Sequence, residues 1–92
     1  MPVTFHLSGQ LKAFTGGEVE LLIQGEHETV EDALDSLWKT YPALRDRILN
    51  EAGEIRQHVN IFAGNLDIKR SKGLQTKPRG NDIYVFNAVS GG

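Results

Sequence analysis

Residues 29–42, "TVEDALDSLWKTYP", decide how the rest of the chain is read. Val30, Ala33, Leu34, Leu37, Trp38 and Tyr41 recur at steps of three and four, so a helix gathers them on one apolar stripe. Thr29 is suited to accept a hydrogen bond from the first free backbone amides, Glu31 and Asp32 complement the positive end of the helix dipole, and Pro42 stops the run. The same spacing puts Glu31, Asp32 and Asp35 on the outer side, where dipole and solvent account for them without an acid-base role. A helix with one apolar stripe needs a surface to cover, and the flanking segments supply it.

Upstream, "VTFHL" (3–7) alternates Val3, Phe5 and Leu7 with Thr4 and His6, the period of a strand with one buried face. "EVELLIQ" (18–24) does the same with Val19, Leu21 and Ile23, and the Gly16-Gly17 turn before it predicts an antiparallel pair. Their connection is longer than a tight hairpin, which places Leu11 and Phe14 over the end of the sheet. Downstream, "ALRDRIL" (43–49) predicts a further helical turn or two. "HVNIFAGNLDI" (58–68) reads as a hairpin about Gly64-Asn65, with Val59, Ile61 and Ala63 on one face. A turn-rich loop, "KRSKGLQTKPRGND" (69–82), leads into "IYVFNAV" (83–89), a last strand setting Ile83 and Val85 against Tyr84 and Phe86. Strand, strand, helix, hairpin, strand predicts an α+β roll of four to five strands covered on one face by one main helix. The uncovered face then carries Thr4, His6, Leu22, Asn60, Phe62, Tyr84 and Phe86, an unusual share of apolar and aromatic groups for a surface. Phe62, Tyr84 and Phe86 are therefore candidate docking residues.

Composition narrows the classes. The 92 residues predict one domain spanning 1–92, and 39% hydrophobic with 24% charged residues describes an ordinary globular protein. No cysteine is present, which removes disulfides, thiolate metal sites and a thiol nucleophile. His6, His27 and His58 lack metal-ligand spacing, and no metal is expected. Neither a signal peptide nor an apolar run long enough to span a membrane is evident, so a cytosolic protein is expected. Residues 1–54 hold ten acids and four bases, residues 55–92 two acids and six bases. Those bases are spread through turns and the overall pI is about 5.9, far from a nucleic-acid-binding domain. A rim for an acidic protein partner fits them better.

The stretch "FNAVSGG" (86–92) sets the chemistry. Gly91 and Gly92 have no side chains, so they enter a channel too narrow for other residues. With Ser90 they form a flexible tail (90–92) that reaches about 10 Å past the strand. A carboxylate is ionised at neutral pH and inert to nucleophiles, and adenylation by ATP would give it a leaving group. The nucleotide and magnesium site would belong to another protein, and this chain would be the substrate.

"TVEDALDSLWKTYPAL", "HVNIFAGN" and "NDIYVFNAVSGG" together resemble the β-grasp sulfur carriers related to ubiquitin, over nearly the whole chain. The resemblance is nearest to the molybdopterin-synthase small subunit and the cysteine-biosynthesis sulfur carrier, which end in Val, a small residue, then Gly-Gly, as Val89, Ser90, Gly91 and Gly92 do. It implies a mixed sheet and a protein that is not an enzyme alone, although it can be the small subunit of one. It further implies that a ubiquitin-activating-type adenylyltransferase, using ATP and magnesium, adenylates Gly92. Conversion to a thiocarboxylate follows, which donates sulfur to a biosynthetic enzyme making molybdopterin, cysteine or a related product. Gly91 would be the slender neck, and Phe86, with Val89 and Ser90, part of the docking surface. Two rivals stay open: a modifier joined through Gly92 to lysines of other proteins, and a non-covalent binding module with an idle tail. Neither nucleic acid nor membrane is an expected partner.

Overall fold

In the computed structural model, which describes residues 2–87, the alternation at the start of the chain becomes β1 (Val3–Leu7), with Val3, Phe5 and Leu7 buried and Thr4 and His6 partly exposed. A 3₁₀ turn at Gly9–Phe14 buries Leu11 and lays Phe14 against the core, closing the end of the sheet as the long connection predicts. Gly16 and Gly17 then take φ of 71° and 96°, angles that a Cβ disfavours, and turn the chain into β2 (Glu20–Ile23). Leu21 and Ile23 point inward, but Val19 lies outside the ladder and is 40% exposed. The cause is local: the Thr15 hydroxyl proton is shared between the carbonyls of Lys12 and Glu18, which holds this corner as a turn, so Val19 keeps only the bond its carbonyl accepts from the Leu7 amide at 2.8 Å and the paired register begins at Glu20.

The decisive stretch forms α1 (Val30–Thr40), capped as expected by the Thr29 hydroxyl, which accepts from the Asp32 amide at 3.1 Å. Val30, Ala33, Leu34 and Leu37 are buried, and Trp38 and Tyr41 pack against the core from its rim. Glu31, Asp32 and Asp35 are exposed. Pro42–Leu44 continue as a 3₁₀ turn into the short α2 (Arg45–Ile48), which adds Leu44 and Ile48 to the core. The hairpin is β3 (Val59–Ala63) and a two-residue β4 (Leu66–Asp67), joined through Gly64 at φ 63°. The last strand is β5 (Asp82–Asn87).

The sheet order is β2-β1-β5-β3-β4, with β1 and β5 parallel and the other neighbours antiparallel, so the sheet is mixed and five-stranded. Parallel pairing of the first and last strands is possible because α1 and the hairpin lie between them in sequence. Phe5, Ile61, Ile83 and Val85 on the central strands meet Leu34 and Leu37 of α1 in one core, all at 1% exposure or less. Each such side chain contributes about 1.5–3 kcal/mol relative to an exposed one.

The segment read as a loop is more ordered than its composition suggests. It contains a 3₁₀ turn at Gly73–Gln75, buries Thr76 and packs Leu74 on the core, and it is entered through a 3₁₀ turn at Ile68–Arg70, where Ile68, expected in the hairpin, is buried just past the end of β4. The Thr76 carbonyl accepts from the Val30 amide at 2.8 Å, satisfying one of the donors that a helix start leaves free. No helix among the described residues is long and apolar enough to cross a membrane.

Candidate functional site: the outer face of the sheet

Alternation along each strand and register between strands jointly determine which side chains meet on the side away from α1. His6 of β1 lies beside Tyr84 of β5, Tyr84 beside Phe62 of β3, and Phe86 beside Asn60. On the other flank His6 pairs with Glu20 and Thr4 with Leu22. The residues expected on this face are thus brought together, and the three expected docking aromatics are contiguous.

Their rings form a chain. His6 stacks on Tyr84 with centroids 4.5 Å apart and planes 17° apart, Tyr84 lies parallel to Phe86 at 6.2 Å, and Phe62 meets Phe86 edge-on at 6.1 Å. Such pairs are worth about 0.5–1.5 kcal/mol each beyond area burial, enough to fix ring positions before any partner arrives. Phe86 nevertheless remains 44% exposed and Leu22 60%. Phe62 and Tyr84 are half-buried by their neighbours.

One polar pair borders the aromatics. His6 Nε2 donates to Asp82 Oδ1 at 2.8 Å, linking β1 to β5 through side chains as well as backbone. The carboxylate can only accept, so it orients the imidazole whose ring lies on Tyr84. Periodicity puts His6 on this face but gives no hint of Asp82. That partner follows from the parallel pairing of strands 76 residues apart, for which a single strand carries no signal. Glu20, beside His6, is likewise added by register alone.

Phe86 is followed by Asn87, where β5 ends opposite Val59. The aromatic cluster therefore flanks the point at which the chain passes into residues 88–92. Val89, Ser90, Gly91 and Gly92, the remaining candidate site residues, lie outside the described residues, as does the 90–92 tail. Among the described residues, no group of three or more His, Asp or Glu side chains is placed to hold a metal ion. The face offers apolar contact area and aligned rings, with the His6–Asp82 pair at its border. That suits binding to a protein surface better than turnover of a small molecule.

No protein-family model matches the sequence. Comparison with individual proteins is more informative. Small archaeal modifier protein 1 of Haloferax volcanii is 33% identical over 64 residues, covering 70% of each chain. The sulfur carrier protein CysO of Mycobacterium bovis is 27% identical over an alignment of 95 residues that spans 100% of both chains. Among solved structures, a chain in the crystal structure of the Amycolatopsis orientalis BexX/CysO complex superposes with a TM-score of 0.85 at 25% identity, covering 98% of this chain and 99% of that one.

Proposed function

The chain belongs to the ubiquitin-like β-grasp family of sulfur carriers and small protein modifiers, and from that premise we propose that it is a sulfur carrier whose reactive group is the Gly92 carboxylate. The observation that carries this reading is the preassembled aromatic face of Phe62, Tyr84 and Phe86 beside the end of β5. An activating enzyme held on that face receives residues 88–92 at the rim of its contact area. Val89 and Ser90 extend the contact, and Gly91 and Gly92 enter the narrow part of the enzyme's site.

The chemistry is acyl activation. A Gly92 carboxylate oxygen attacks the α-phosphorus of ATP, pyrophosphate leaves, and an acyl-adenylate forms; the adenylyltransferase contributes the magnesium that screens the phosphates. A sulfide nucleophile then adds to the acyl carbon and expels AMP, leaving a thiocarboxylate. The chain has no cysteine, so the sulfur comes from another donor. The thiocarboxylate passes its sulfur to a biosynthetic enzyme for molybdopterin, cysteine or a related product. The full-length likeness to a sulfur carrier, and a structural neighbour captured in a complex with BexX, support both the chemistry and a sulfur-accepting protein partner.

The likeness to small archaeal modifier protein 1 favours a second use of the same adenylate, in which a lysine amine of a target protein attacks the acyl carbon to form an isopeptide bond. Intact-mass measurement of the chain from its native cells separates the two. Replacement of one terminal oxygen by sulfur is expected for the carrier, and conjugates resistant to thiol reductant for the modifier. Deletion of Gly92 is expected to abolish both while the fold and docking persist. Full activity of the deleted chain would leave a non-covalent binding module as the function.

A further inference from the structure

A second candidate site lies by the start of β5, away from its end. Leu66, Ser71, Lys72, Gln75, Thr76, Lys77, Pro78 and Arg79 enclose an open depression of about 220 Å³ with three cationic side chains and no carboxylate. It sits at the start of β5, whereas Phe86 lies near its end. Five residue steps, roughly 17 Å of strand, separate Asp82 from Asn87. This depression is therefore well separated from Phe86 and the end of β5, although Tyr84 of the aromatic cluster is only two residues beyond Asp82.

Its frame is fixed. The Lys72 amide donates to the Thr76 hydroxyl at 3.1 Å, the Thr76 amide to the Gly73 carbonyl at 3.0 Å, and the Gln75 side chain to Glu31 Oε1 at 3.2 Å. Thr76 is 4% exposed, and a Cβ on Gly64 would stand 3.2 Å from the Arg79 carbonyl, so the β3–β4 turn is packed against the far wall. None of Lys72, Lys77 and Arg79 has an ion-pair partner among the described residues, although the chain carries 12 carboxylates against 10 basic side chains. Three exposed, unpaired cations around one depression make its potential positive, and an anion placed among them lowers it.

We infer that this depression binds an acidic segment of a partner protein, a short run of Glu or Asp side chains. Phosphate sites are commonly built from free backbone amides. Here the Ser71, Lys72, Gln75 and Thr76 amides are engaged within the loop, so the positive charge comes mainly from long side chains. Leu66 and Pro78 provide apolar wall for the methylene stems of glutamates, which a bare phosphate would not use. The site gives the protein a charged handle separate from its aromatic one, and its binding does not depend on chemistry at Gly92.

The test is titration of a hexaglutamate peptide into the ¹⁵N-labelled full chain, without ATP or enzyme. Saturable amide shifts are expected within residues 71–79, weakening as salt shortens the screening length. The double variant Lys72→Glu/Lys77→Glu, both exposed positions, should keep the native amide dispersion and lose roughly tenfold or more in affinity. Shifts centred on Tyr84 and Phe86, or affinity unchanged in the double variant, would overturn the proposal. So would tighter binding of inorganic phosphate to the same amides, which would make this a small-anion site.

Discussion

Val85 and Phe86 are adjacent in sequence and on the same strand, yet one is completely buried and the other 44% exposed. The contrast extends across the sheet. Toward α1 the central strands present Phe5, Ile61, Ile83 and Val85, each at 0% exposure, and away from it they present His6, Asn60, Tyr84 and Phe86. Both faces have a substantial apolar share, but among the described residues only one has a layer of structure over it. On the inner face, hydrophobic groups account for the fold. On the outer face, ring contacts leave much of the aromatic area in water, which a purely structural role does not require. The same residue types thus serve stability on one side and stand partly in water on the other, and substitution can test whether the exposed set serves recognition.

The largest effect is expected at Phe5, which is fully buried on β1 between β2 and β5. Phe5→Ala should cost about 3–5 kcal/mol, from lost transfer energy and the cavity left behind. Urea denaturation measures it, and a loss below about 1 kcal/mol would mean that the inner face is not the stabilising one. Val85→Ala removes less volume from the same layer and should cost about 2 kcal/mol. Neither change alters the aromatic face directly, so in conditions where the variants stay folded, Gly92 adenylation should proceed at close to the normal rate.

How much of this contrast the sequence carries depends on the range of the interaction concerned. The α1 stripe, the Thr29 cap and the alternation of β1, β3 and β5 are local patterns, and they appear where periodicity places them. Val19 fits the inward alternation, and its carbonyl still bonds to β1, but the turn held at Thr15 leaves its side chain 40% exposed. Residues 69–82 have loop composition, yet Ile68, Leu74 and Thr76 fasten the segment to the core and to the start of α1. That Phe62, Tyr84 and Phe86 share the outer face was legible from alternation alone. The His6–Asp82 link and the order of the rings were not, since both arise from the parallel register of the first and last strands.

On the outer face the balance reverses. Phe86→Ala leaves the core intact and removes one parallel and one edge-on ring contact, for which a loss of about 1–3 kcal/mol of stability is expected, less than at Phe5. If this face receives the activating enzyme, the same change should slow adenylation of Gly92 about tenfold or more, because large aromatics at the centre of an interface carry a disproportionate share of its energy. Single-turnover kinetics under subsaturating enzyme read this directly. An unchanged rate would detach the aromatic cluster from function.

Leu22 gives the finest division of that face. It is more exposed than Phe86, but it belongs to the edge strand β2, two strands away from β5 and about 10 Å across the sheet. Leu22→Thr replaces an exposed apolar group with a β-branched residue that suits a strand, so stability should change by no more than about 0.5 kcal/mol. Its effect on adenylation depends on where the partner's footprint ends. The ring contacts join His6, Tyr84, Phe86 and Phe62 into one cluster, and Leu22 is outside it. Less than about a twofold change in rate is therefore expected, as for a rim position. A loss as large as that of Phe86→Ala would extend the docking surface across the whole sheet to its β2 edge. Exposure would then predict function better than ring contact does.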